Sequence, residues 1–169
     1  MANSSIIEFA KNKIVREFIK DERIVAAIDS SKVSNESPEG LINTHIFDYA
    51  QNPNTINTAE TFITIQVHIP YTREMERSGK ATYVKPTIEI NIISHEDHMI
   101  VKNIPKVRSN RNDYLSRLID EKLNGSTDFG IGKVILLSNL EGSIQQNYSY
   151  RIMTFQCIDL NDSLCDLED

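Results

Sequence analysis

Two stretches, Thr61 to Ile69 and Thr87 to Ser94, restrict this chain more than any others. In the first, Ile63, Ile65, Val67 and Ile69 alternate with Phe62, Thr64, Gln66 and His68. In the second, Ile88, Ile90 and Ile92 alternate with Glu89, Asn91 and Ile93. Successive side chains of an extended chain point to opposite sides, so period two marks a strand with one buried face. The stretches are predicted to pair antiparallel, with isoleucines against helices and a wetter reverse side. That pairing puts His95 near Glu60 and Thr61, and His68 at the far end.

Pro70 to Pro86 joins them and is longer than a tight hairpin loop, which has about 2–5 residues. It carries Arg73, Glu74, Glu76, Arg77, Lys80 and Lys85. A contact arm and a mobile solvated loop both fit it.

The last third has its own order. From Arg111 to Leu123 the residues Tyr114, Leu115, Leu118, Ile119 and Leu123 share one helical face. Asn124-Gly125 then ends the helix, since Gly takes the left-handed conformation without a Cβ penalty. Gly132 to Leu140 and Tyr148 to Leu160 read as two strands joined by a turn at Glu141-Gly142-Ser143. In the last strand Met153, Phe155 and Cys157 share one face, and Tyr148, Tyr150, Ile152 and Ile158 the other. Two apolar faces predict an inner strand, or one covered by another subunit.

The N-terminus is predicted to be helical over about 5–28. Ser5 and Glu8 make a candidate capping box, and Ile7, Ala10, Ile14 and Phe18 follow helical spacing. Asp21 can cap a second helix with Ile24, Val25 and Ile28 inward, or the two helices are one, bent near Lys20-Asp21. Asp29 to Gly40 is a loop, with four Ser, one Pro and one Gly. Leu41 to Tyr49 is a short strand or an irregular packed segment. Gln51 to Thr58 is polar, turn-rich and expected to be exposed. His95 to Asn110 is a charged connection.

The 169 residues predict one domain, 1–169, with sheet and helix at about 61–160 and an acidic, flexible tail at 161–169. Charged residues make up 25% and hydrophobic residues 40%, a globular balance. The net charge of −6 argues against a dedicated nucleic-acid binder. Cys157 and Cys165 have no metal spacing and are expected to be reduced thiols in a cytoplasmic setting. No signal-peptide pattern opens the chain, and no stretch approaches the roughly 20 apolar residues of a membrane span.

Candidate chemistry is sparse. His95-Glu96-Asp97-His98 gathers two imidazoles and two carboxylates, but a His spacing of three in a strand puts the rings on opposite sides. A solvated strand end is the plainer reading. A Mg²⁺ nuclease needs clustered strand carboxylates, and only Glu60 and Glu89 are in view, with His95 and His98 as possible companions. Gly130-Ile131-Gly132-Lys133 precedes a strand and follows a helix, the reverse of a phosphate loop, so it reads as a turn. Cys157, in mid-strand, is expected to be a small core hydrophobe. No catalytic, cofactor or metal residue is assigned.

The order of elements resembles that of the tail-terminator and tail-completion (neck) proteins of tailed bacteriophages. The residues that carry the likeness are Thr61-Phe62-Ile63-Thr64-Ile65-Gln66-Val67, Ile92-Ile93-Ser94-His95, Arg111-Asn112-Asp113-Tyr114-Leu115, Gly130-Ile131-Gly132 and Tyr150 to Asp159. It is strongest from Thr61 to Asn161. It implies an α+β subunit, an antiparallel sheet of about four strands with helices on one face. It also implies a structural virion protein with no active site, assembled in the host cytoplasm into a ring, often a hexamer. Such a ring caps the tail tube, joins it to the head, and touches neighbouring neck and tail-tube proteins. An acidic ring lets DNA pass without sticking. Arg73, Glu76, Arg77 and Lys80 are the expected inter-subunit charge contacts. The alternatives are the metal-dependent nuclease and a small non-catalytic binding module.

Overall fold

A run of residues that keeps its apolar side chains on one stripe folds where that stripe can be covered. The computed structural model describes residues 5–51, 59–69, 71–74, 81–84, 86–144 and 147–157, and of 71–74 and 81–84 the backbone alone. Helix α1 (Ser5–Lys20) buries Ala10, Ile14 and Phe18 on one stripe. It stops because Asp21 is extended (φ −87°, ψ 101°) and its carboxylate accepts the Arg23 amide, which caps α2 (Glu22–Ile28). The chain therefore makes two helices, not one bent helix. Helix α3 (Arg111–Leu123) has the bounds and the buried face that its spacing predicts. The Asn110 side chain caps it by accepting the Asp113 amide at 2.8 Å. Gly125, with φ 82°, follows its end and donates to the Val134 carbonyl at 2.7 Å.

The strands are β1 (Ile46–Phe47), β2 (Thr61–His68), β3 (Tyr71–Glu74), β4 (Ala81–Val84), β5 (Thr87–His95), β6 (Val134–Ile144) and β7 (Tyr148–Cys157). Five form one sheet in the order β1-β2-β5-β7-β6. All its neighbours are antiparallel except β1 and β2. The fold is α+β, with the three helices packed against this mixed, mostly antiparallel sheet.

Register explains the core. Ile63 lies opposite Ile92, Ile65 opposite Ile90 and Val67 opposite Ile88. On the other side of β5, Ile90 faces Met153 and Ile88 faces Phe155. These side chains pack under the helices with Phe18, Leu115 and Ile119. Slipping β5 by one residue would turn Ile88, Ile90 and Ile92 outward. Each fully buried isoleucine contributes about 1.5–3 kcal/mol. The loss would be on the order of a domain's whole net stability, about 5–15 kcal/mol, so one register dominates.

The structure departs from the sequence reading in the number of strands and in the turn at Glu141-Gly142-Ser143, and it fills in one segment left open. The sheet has a fifth strand, β1, which is only two residues long and parallel to β2. Strand β6 runs on through Glu141-Gly142-Ser143, so the expected turn falls later, and residues 145–146 lie outside the described residues. Gly142 is a strand glycine because its partner Tyr150 fills the space of a side chain: a Cβ there would sit 2.5 Å from Tyr150 Cζ. Pro70 to Pro86, left open above, contains the antiparallel ribbon β3–β4, a separate two-stranded sheet. The turn reading of Gly130-Ile131-Gly132 holds, with both glycines at positive φ. The polar stretch at 52–58 and the acidic tail at 161–169 lie outside the described residues.

Candidate functional site

The buried polar side chains are concentrated where β2 begins, β5 ends and α3 begins. His45, Glu60, Thr61, Ser94, Arg111 and Asn112 are all buried there. On the outer side of the sheet, His45 Nε2 meets Glu60 Oε2 at 3.1 Å and His45 Nδ1 meets Thr44 Oγ1 at 3.0 Å. Ser31 donates its hydroxyl to the other Glu60 oxygen at 2.6 Å, and the His45 ring stacks on Phe62. Burial holds the His45 imidazole below its usual range, and the opposing charge of Glu60 offsets only part of that, with Lys32 adding to the depression.

On the helix side, Thr61 Oγ1 lies 2.8 Å from Ser94 Oγ and 2.9 Å from His98 Nδ1. Ser94 donates to Asn112 Oδ1 at 2.6 Å, and Asn112 donates to the Ser149 carbonyl at 3.1 Å. Arg111 is the largest fully buried side chain. Its guanidinium donates to the carbonyls of Ala27 (2.5 Å), His98 (2.6 Å) and Ile100 (3.3 Å), and to Asp29 Oδ2 (3.2 Å). It thereby ties the end of α2 to the segment leading into α3. His98 is also held low, first by burial, then by the neighbouring Arg111 charge, against Asp29 and Glu60.

This network ties β2, β5, α2 and the start of α3 together. The polar atoms of Glu60, His45 and His98 are spent on protein partners. Of the four nuclease candidates, the structure gathers Glu60 and His98 around Thr61 and sends the other two elsewhere. His95 packs edge-on against Tyr148 and accepts the Asp97 amide. Glu89 accepts from Gln66 and Asn91 on the outer face. Glu60 pairs beside His95, six residues along β5 from Glu89, which at about 3.3 Å per residue separates the carboxylates by roughly 20 Å. Among the described residues no three His, Cys, Asp or Glu converge as a metal site. That counts against the nuclease.

Two clefts lie on the helical side. One, of about 450 Å³, is lined by charges that pair with one another: Arg23 with Asp21 and Glu121, each at 3.0 Å, and Lys122 with Asp21 at 3.6 Å. The other, of about 640 Å³, lies between Arg16, Glu22 and Val25 and the loop at Asn35 to Glu39.

The outer sheet face is different in kind. Ile93, Tyr150, Ile152 and Ile144 line a shallow hollow there with Thr64 and Asn91. Leu140 of β6, opposite Ile152, is 61% exposed, and Leu137, at the bulge in the same strand, is 53% exposed. Of the expected contact residues, Arg73 belongs to β3, while Glu76, Arg77 and Lys80 lie outside the described residues.

A family model named YomW matches residues 11–157, which takes in every strand, the polar lock and the outer face. The chain belongs to the YomW family. No curated protein matches it. The YomW match therefore covers the whole described sheet and the second half of α1 from residue 11, so lock and face both lie in the part shared with the family.

His45 and Arg111 escaped the sequence reading. His45 sits between the apolar pairs Leu41-Ile42 and Ile46-Phe47, and a lone imidazole in such a run asks for a buried partner. Arg111 is a cation at the first position of a helix, where the dipole disfavours it. A compensating contact elsewhere is the signal that position carried.

Proposed function

We propose that this chain is a structural, non-catalytic subunit of the bacteriophage head–tail junction. In this reading it is a tail terminator or tail-completion protein that forms a ring capping the tail tube. The observation that carries it is the division of the molecule. One face of the sheet is closed by helices, while the other presents Tyr150, Ile152 and Leu140, and the β3–β4 ribbon forms a sheet of its own. A subunit with finished packing on one side and apolar surface on the other is built for repeated contacts. The net charge of −6 supports the same reading, because an acidic ring repels DNA in its channel and lets it slide. Contacts between subunits would draw on Arg73, Glu76, Arg77 and Lys80, and the ring's two rims on neck and tail-tube proteins.

The test is placement in the particle. Gold-labelled antibody against the chain should decorate the head–tail junction of intact virions, and a phage lacking the gene should accumulate unjoined heads and tails. Label elsewhere, or particles that join normally without the gene, would overturn the reading.

A further inference from the structure

Strand β6 closes one side of the sheet, and its one neighbour among the described residues is β7. Natural edge strands usually carry Lys, Pro or an inward charge to stop another strand docking. β6 has no Pro or Lys and a single charge, Glu141. Leu137 and Leu140 stand more than half exposed on it. Its one irregularity is the bulge between Leu136 and Ser138. Beyond that bulge, Ser138 to Ile144 runs in unbroken register with β7.

The same chain holds a strand pair with the complementary need. β3 and β4 are four residues each and pair only with one another among the described residues. A two-stranded ribbon by itself is marginal in water. The segment from Pro70 to Pro86 carries Arg73, Arg77, Lys80 and Lys85 against Glu74 and Glu76, a cationic excess in a chain of net charge −6. The run from Val134 to Ile144 carries one acid and no base.

We propose that the β6 edge accepts the β3–β4 ribbon of a second copy, which adds a strand alongside Ser138 to Ile144. Main-chain hydrogen bonds supply the attachment, as in other strand additions. A four-residue strand spans about 13 Å, which fits within that run. The contact joins two different surfaces of one chain, so it repeats head to tail until a ring closes. It rests on the assembly half of the head–tail reading and is independent of where in a virion the ring sits.

The experiment uses the full chain and two variants: Leu137→Lys with Leu140→Lys, which arms the edge, and replacement of residues 71–84 by a Gly-Ser linker, which removes the ribbon. Both edge leucines are exposed, and circular dichroism and thermal melts check that each variant folds. In sedimentation velocity the unaltered chain should associate with rising concentration, and each variant alone should stay monomeric. Mixed, the variants should give a one-to-one complex and nothing larger, because one brings an intact edge and the other an intact ribbon. An unaltered chain that stays monomeric overturns the proposal, as do variants that associate alone and mixed variants that ignore each other. Oligomers that survive both changes would place the junction elsewhere and leave the head–tail reading standing. Correct association with label away from the neck would do the reverse.

Discussion

His45 Nε2 lies 3.1 Å from Glu60 Oε2, and both side chains are almost wholly buried. Burial holds His45 low here, as it does His98 on the other side of β2. The charged and polar groups facing His45 are Glu60, Thr44 and Lys32, and those facing His98 are Thr61, Asp29, Arg111 and Glu60. A depressed folded pKa means the unfolded chain takes up protons first as pH falls. Stability is therefore complete above the unfolded value of 6.5 and is lost as pH drops from there through the folded values. Melting temperature should fall between pH 7.5 and 5.5, and His45→Gln with His98→Gln should flatten that slope. A slope that the double variant leaves unchanged would assign the dependence to other groups.

Arg111 should be the costliest single residue to lose. Arg111→Ala leaves three carbonyls and Asp29 without their donor, and breaking a buried charged pair costs about 3–5 kcal/mol. Asp29 is 38% exposed, so water can take up its charge, which puts the cost near the lower end. Arg111→Lys should recover little, because one ammonium cannot reach acceptors spread around a planar fork. Urea midpoints for the two variants check both statements.

The contrast between Arg111 and Leu115 shows what a sequence can and cannot say. Leu115 belongs to a stripe repeated within one helix, so its burial was legible from spacing alone, as were β2, β5 and α3. The partners of Arg111 lie as far as 84 residues away in sequence, and no local pattern encodes them. β1 was legible only in part for a related reason: the apolar run from Leu41 to Tyr49 allowed a short strand, but two residues show no period, and the parallel pairing depends on tertiary contact with Ile63 and Thr64. Gly142 misled because a glycine that signals a turn and one that makes room for an aromatic ring look alike until the opposite strand is known.

Gly142 and Tyr150 offer a direct check of that last point. Gly142→Ala places a methyl in the space of the Tyr150 ring, and overpacking of this kind costs about 1–3 kcal/mol. Tyr150→Ala should relieve the clash, so the double variant should be more stable than the sum of the two single changes predicts. A double-mutant cycle from denaturant unfolding measures that coupling. Additive effects would show that the ring moves aside freely.

Cys157 is fully buried in the core, and burial pushes its thiol up to about 12. The thiolate is the reactive form, so the native protein should resist alkylation at this site near neutral pH. With Cys165→Ser leaving one thiol, iodoacetamide labelling followed by mass spectrometry should track global unfolding in denaturant. Rapid labelling without denaturant would show local opening of β7.

The proposed subunit contacts at Arg73, Glu76, Arg77 and Lys80 make a prediction about salt. Charge pairs at an exposed junction are screened over a Debye length of about 10 Å at 0.1 M salt, so assembly should weaken as ionic strength rises. Neutralising all four, with Gln at each position, should leave a weaker association that responds less to salt, because main-chain pairing along β6 carries no charge and only Glu74, Lys85 and Glu141 remain charged there. Sedimentation velocity at low and high salt, with and without the four changes, separates the two contributions. Association at low salt that survives neutralisation undiminished removes these four residues from the junction and leaves the strand edge to hold it alone.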